Sequence, residues 1–249
     1  PLVTEIRSFN LELSKVSYHK AFPFGMSGKI GHSQKEGQFS ITGRIQDIQE
    51  GMDLSQGKVE AEVKIKEIET FHFWPYLKTL LPVKLISGTL DLNAHYYGNF
   101  SGSFKTFAKI NLRDVVYDHP QVFAYPLKPK WLNIDLDADY DKKEVSVSRF
   151  SLELPELWVK AKGKIYGIGT KEMGMDAEAQ SGPFDLSDAK QYIPYRIITR
   201  DVSDPLFSSE WSGPVKIVSV RLSGKIPEID HCDQLQNAHV LSIQVKMDK

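Results

Sequence analysis

Strict alternation of apolar and polar residues governs this chain. Val59, Ala61, Val63 and Ile65 interleave with Glu60, Glu62, Lys64 and Lys66. Leu132, Ile134, Leu136, Ala138 and Tyr140 interleave with Asn133, Asp135, Asp137 and Asp139. Phe39, Ile41, Gly43 and Ile45 form another series, as do Val218, Val220, Leu222, Gly224 and Ile226, and Leu241, Ile243, Val245 and Met247. A period of two belongs to the β-strand, whose side chains point to opposite faces in turn. Strands with one dry and one wet face suit an antiparallel sheet. Roughly a dozen are expected, with turns over 98–103, 141–143 and 167–174.

Within this alternation a five-residue pattern recurs: apolar, any residue, glycine, polar or basic, then Ile or Leu. Its glycines are Gly28, Gly43, Gly88, Gly163 and Gly224. A glycine on the apolar face of a strand removes bulk where the strand bends or another surface approaches. These five are therefore the expected sheet-bending positions. The predicted fold is mainly β, an elongated, curled antiparallel sheet forming a groove or open sandwich, with one or two short helices.

Two segments break the alternation. Residues 73–81 are too apolar and wrongly spaced for a strand. Pro75 suits the first turn of a helix and Pro82 closes it. Residues 186–193 read the same way, with Asp185 or Ser187 as N-cap and Pro194 as terminator. The pairs Leu81-Pro82 and Ile193-Pro194, and the echo of residues 9–13 in 150–154, predict two diverged units, about 1–112 and 113–249. Residues 120–129 carry three prolines and predict a wide loop or linker, and 201–214, containing Trp211, a second irregular stretch.

The chain has 249 residues, enough for a sizeable core, and 41% hydrophobic residues exclude a disordered polymer. With 31 basic and 32 acidic residues, no electrostatic footprint for nucleic acid exists. The lone Cys232 cannot form an internal disulfide. No run of 18 apolar residues and no signal peptide occurs, so the chain reads as a mature form or a segment of a longer protein. Asp135, Asp137, Asp139 and Asp141 lack the glycine of a calcium loop and continue a strand register, so they predict a solvated face, not a metal site. The seven histidines lack zinc spacing, and there is no Cys-x-x-Cys, nucleophile elbow or P-loop. No enzyme, metal or cofactor is expected. Lys160, Lys162 and Lys164 alternate with apolar residues and read as a wet strand face, or more sharply as a rim for lipid phosphates.

An alternating strand, a short amphipathic segment ending in an apolar–Pro pair, and then apolar-x-Gly-x-apolar strands resemble the C-terminal β-repeat region of AsmA-like envelope proteins, the group with TamB and YhdP. Residues 59–92 and 152–194 carry the resemblance. It implies a single segment of a longer β-repeat protein, periplasmic and membrane-anchored through a part outside this chain. It further implies a non-enzymatic lipid-binding or lipid-transfer role, with phospholipid or another acyl-chain lipid as partner, and inner- or outer-membrane proteins beside it. The residues expected to line an apolar groove are Val63, Ile65, Leu90, Leu92, Ile110, Leu112, Ile134, Leu136, Val220 and Leu222. Two alternatives are a structural or assembly module of the envelope with a closed dry core, and an enzyme or carbohydrate-binding domain displaying Trp74, Trp131, Trp158 and Trp211.

Overall fold

A computed structural model describes residues 5–17, 20–32, 35–48, 51, 56–78, 83–99, 101–193, 195–196, 204, 213–232 and 234–247. Strand accounts for 64% of the chain and helix for 12%, so the protein is mainly β, and its strands form one antiparallel sheet that does not close. The first six strands are β1 (Glu5–Leu13), β2 (Phe22–His32), β3 (Lys35–Gln46), β4 (Lys58–Glu69), β5 (Leu85–Asn99) and β6 (Phe104–Asp118). There follow β7 (Trp131–Asp141), β8 (Glu144–Glu153), β9 (Trp158–Tyr166), β10 (Gly174–Ser181), β11 (Pro183–Asp185), β12 (Pro214–Lys225) and β13 (Leu241–Met247). Each strand from β1 to β9 pairs with the next, β10 pairs with β12, and β13 lies on the far side of β12. The short β11 lies on the β10 side of β12. The expected boundary between two units, near residue 112, lies inside β6, which pairs along both flanks.

The ladder registers stack the alternating residues into rows that cross the whole sheet. One row runs Leu11, Met26, Ile41, Val63, Ala94, Ala108. It continues through Leu136, Phe150, Ala161, Ala179, Val220 and Ile243. The opposite face carries the intervening polar residues, which pair across strands: Lys162 and Arg221 both approach Glu178 at 3.6 Å, and Arg44 reaches Glu60. Lys164 lies 3.8 Å from Asp176 and Lys160 stands over the Trp158 ring. The lysine run thus takes its wet-face place within a mixed-charge ladder.

Several ladders slip by a residue, and each slip re-aims a strand. Shifts occur between Arg7 and Asn10, Ile65 and Ile68, Ser87 and Thr89, Val147 and Phe150, and Ile217 and Ser219. Ser8, Glu67 and Asp114 take left-handed φ values of 51°, 56° and 53° at three of them. Bulges of this kind bend a strand and increase its local twist. They also keep apolar residues on one face when the sequence spaces them three apart. Val218 differs from its expected place in the alternating series: it falls in the β12 bulge and is exposed.

Curvature is toward the apolar side. Cα atoms of β2 and β4 come within 8 Å although β3 lies between them, against about 9.5 Å for two spacings of a flat sheet. Gly43 permits this: a Cβ there would collide with the Glu60 carbonyl and stand 2.9 Å from the Phe24 ring. A Cβ on Gly163 would lie 3.0 Å from that of Ala177, where cross-strand Cβ atoms ordinarily stand about 4.5–5.5 Å apart. Gly88 has φ +147° at its bulge, a backbone that suits glycine. Gly28 faces Phe39 and Gly224 faces Val240.

The 73–81 segment begins with a 3-10 turn over Thr70–Phe73 and continues as α1 (Trp74–Leu77), with Pro75 in its first turn. Its expected end at Leu81-Pro82 lies outside the described residues, as do Pro194, Trp211 and nearly all of 201–212. The second segment forms α2 (Leu186–Ala189) and a 3-10 turn, Lys190–Tyr192, with Asp185 as the N-cap. Further short helical segments, α3 (Ile226–Ile229) and a 3-10 stretch Leu235–Val240, join β12 to β13. Ile226, expected in the strand series, starts α3, where Pro227 occupies the first turn and Glu228 bonds the Lys225 amide. Residues 120–129 form a loop pinned by reciprocal Tyr117–Leu127 backbone hydrogen bonds.

Candidate functional site

All ten expected groove residues fall on the same face, the inner face of the curl. Ile65, Leu92, Ile110 and Ile134 are consecutive partners across β4 to β7. Val63, Leu136 and Val220 belong to the adjacent row, Leu90 opposes Leu112, and Leu222 sits between Ala177 and Leu241. Every one is half-buried. Large side chains at that level are neither sealed in a core nor fully wet.

Burial is distributed unevenly over this face. Buried apolar residues gather where loops or helices return: Ile68, Trp74 and Val115 near α1, Leu186, Ala189 and Val215 around α2, and Val240 against Gly224. Phe22 and Val59 are buried at the opposite end of β2 and β4, next to the sharp bend. In the rows between these margins the buried residues are small: Ala61, Ala108 and Ala138. Neighbouring Leu, Ile and Phe side chains stand above them with a flank open.

One hollow on this face, about 240 Å³, is lined by Leu136, Val145, Val147, Phe150, Ile165 and Met175. Of these, only Leu136 was expected as a groove residue. The others were legible in the alternation of Val145, Val147 and, past a three-residue step, Phe150. Larger hollows of about 450 and 480 Å³ open on the opposite face, between the lysine, arginine and glutamate side chains of β8 to β12. Those are gaps between long charged side chains, some in ion pairs (Lys162 and Arg221 with Glu178, Lys164 with Asp176) and others, Arg149 and Lys160, set over the Phe107 and Trp158 rings. The apolar hollow is smaller but chemically uniform.

A strap borders the face. From α2 the chain passes Tyr192, whose hydroxyl donates to Glu156 at 2.8 Å, and reaches Arg196, whose backbone N–H donates to the Val122 carbonyl at 3.1 Å. Burial, reinforced by Glu156, pushes the Tyr192 hydroxyl well above the usual phenol range. At the strap's start, the Asp185 carboxylate accepts from the Ser187 hydroxyl and amide and from the Gly213 amide, which holds its pKa below the ordinary value.

The other candidate chemistry disperses. Trp74 is buried, while Trp131 and Trp158 stand on the charged face of β7 and β9 with β8 between them. The Asp135, Asp137 and Asp139 positions oppose Lys109, Phe107 and Lys105 on the charged face. Among the described residues, no group of His, Cys, Asp or Glu could hold a metal ion, and no helix is long and apolar enough to cross a membrane.

Fold and site together define a class: an unclosed, curled antiparallel sheet whose inner face is an apolar band spanning its full width. No protein-family model, curated protein or solved structure matches the chain.

Proposed function

We propose that this chain binds lipid acyl chains along its inner face and serves as a non-enzymatic lipid-transfer segment of a bacterial envelope. The observation that carries the reading is the uninterrupted row of apolar partners across twelve strands, with large side chains left half-exposed. Eleven strand spacings span about 50 Å, against about 15 Å for the hydrocarbon depth of one bilayer leaflet. The band is therefore long enough for several acyl chains in succession. Each methylene removed from water contributes about 0.8 kcal/mol, and a uniform surface without fixed polar anchors lets a chain slide. The resemblance to AsmA-like proteins points the same way and adds a periplasmic location and a phospholipid ligand.

A second reading, a structural module with a dry core, draws on the buried cluster of Phe22, Val59 and Ala61 where β2 and β4 fold together. Native mass spectrometry and lipid extraction of protein purified from bacterial cells separate the two. Phospholipid co-purifying at a reproducible ratio supports the lipid reading. Lipid-free protein that takes up no fluorescent fatty acid refutes it.

A further inference from the structure

One end of the sheet gathers exposed aromatic rings and lysines in loops that carry no acid. We infer that the connections from β4 to β5 and from β6 to β7 dock this chain on the surface of an anionic phospholipid bilayer. This stands on those loops and does not depend on acyl-chain binding by the inner face. The ladders fix the geometry: Glu69 at the end of β4 pairs with Thr89, Leu85 at the start of β5 with Asp118, and Trp131 with Arg113. Glu153 at the end of β8 pairs with Trp158 at the start of β9, so all these termini lie at the same end. Seven large aromatic side chains are exposed among the described residues, and five of them, Phe71, Tyr76, Tyr125, Trp131 and Trp158, stand at this end.

Charge is sorted in the same way. Acidic residues occupy 32 of the 249 positions, yet residues 70–84 and 119–130 contain none. The same two connections supply Lys78, Lys128 and Lys130, all exposed, and Lys84, which Asp118 holds at 2.8 Å. At the opposite end the connection 47–57 carries Asp47, Glu50 and Asp53, and 226–240 carries Glu228, Asp230 and Asp233. An anionic surface therefore attracts one end of the sheet and repels the other. Glu153 and Asp188 are exposed at the attracted end but outside the two loops, so the loops themselves are the part that meets the surface.

The rings are held outward by what lies beneath them. Trp74 is buried and pins α1, which leaves Phe71 50% and Tyr76 61% exposed. The second loop is fixed by the reciprocal Tyr117–Leu127 backbone bonds, by the Phe123 amide donating to the His119 carbonyl at 3.0 Å, and by the Phe123 ring edge-on to Tyr117. Tyr125 at its tip is 70% exposed. Loops already held in place lose little freedom on docking. Tyrosine and tryptophan favour the water–lipid boundary, since each has an apolar body and a polar tip. Lysine supplies a point charge for lipid phosphate. Lysine is depleted in protein–protein interfaces, so its place among these rings favours a bilayer over a protein partner.

Co-sedimentation of this chain with vesicles tests the inference, using phosphatidylcholine alone and phosphatidylcholine mixed with phosphatidylglycerol. Binding to the mixed vesicles is expected to be tighter by about tenfold or more and to weaken as salt is raised. Replacing both lysines, Lys128→Gln with Lys130→Gln, should weaken binding to mixed vesicles by about thirtyfold. Tyr76→Ser with Tyr125→Ser should weaken binding to both vesicle types by about tenfold or more. All four positions are exposed, and circular dichroism matching the wild type shows that each variant is folded. Both double variants should take up fluorescent fatty acid as the wild type does, whereas Leu92→Asp should bind vesicles normally and fail only in fatty-acid uptake. A wild type that sediments with neither vesicle type overturns the inference and leaves these loops to a protein partner. So does vesicle binding that survives in both double variants. Vesicle binding lost in Leu92→Asp overturns it too, since the inner face would then be what holds the membrane.

Discussion

Leu92→Asp separates the two demands that an open apolar band makes on a side chain. Leu92 lies between Ile65 and Ile110 in the middle of its row and is half-buried. Full burial of a leucine contributes about 1.5–3 kcal/mol, so half-burial puts about 1 kcal/mol of folding stability at risk, and the aspartate keeps a flank in water. With an acyl chain lying over the site, the balance changes. Two or three methylene contacts are lost, about 2 kcal/mol, and a carboxylate is covered by hydrocarbon, which costs several kcal/mol more unless it protonates. The sum exceeds about 3 kcal/mol, at least a hundredfold in affinity. Ile65→Asp, directly opposite, should behave alike. Urea unfolding and fatty-acid fluorescence titration on the same preparations measure the two quantities, with Asn93→Asp, one residue along on the charged face, as the control. Lipid cover favours the neutral acid, so uptake by the aspartate variant should recover as pH falls toward about 4. A folded Leu92→Asp protein that binds fatty acid as the wild type does would refute the reasoning.

Three further outcomes follow from the backbone and the strap. Gly43→Val forces a side chain into the Glu60 carbonyl and the Phe24 ring, and should destabilise by about 1–3 kcal/mol or more in urea melts. Ser8→Gly relieves a left-handed φ of 51° in the β1 bulge and should stabilise by about 0.5–1 kcal/mol, read from the same melts. Because the pKa of Asp185 is lowered in the folded state, its cap is fully stabilising above the unfolded carboxylate value of about 3.9 and is lost as pH falls through the lower folded value. Hydrogen-exchange protection of the Ser187 amide should fall in that acid window, and Asp185→Asn should remove the dependence.

The strands were legible because a one-sided sheet leaves its period in the sequence. Residues 59–65 and 132–140 could be placed on one face from alternation alone, and the ladders put them there. The first short helix showed through Pro75 and the second through Asp185. The bulges also leave a mark, though a subtler one: an apolar step of three inside a run of twos. Ile6–Phe9, Ile65–Ile68, Leu112–Val115, Val147–Phe150 and Ile217–Val220 all coincide with register slips. Strict alternation through Val218 missed this, since a residue inserted at a bulge keeps its apolar character while losing its place on the face. Val145, Val147 and Phe150 were legible as apolar strand positions, but their convergence with Met175 into one hollow was not. Its lining comes from four strands, and only the pairing registers bring them together.

Why the band remains open follows from what this sheet has to cover it. Two apolar faces normally pack about 10 Å apart and dry each other. Here a single sheet holds all the described strands, and the described helical segments are four to eight residues long, enough to seal margins at Trp74, Leu186 and Val240 but not a band about 50 Å wide. Curl is the remaining device, and the small residues Gly43, Ala61, Ala108, Ala138 and Gly163 permit it by letting neighbouring strands tilt inward. Their small size also limits what curl can achieve. A glycine hydrogen or an alanine methyl does not fill the space between opposing Leu and Ile side chains, so tighter curl narrows the trough without filling it. Larger residues in those rows would fill it, but they would clash before the strands could tilt. The residue pattern that bends this sheet therefore also leaves a trough among the described residues.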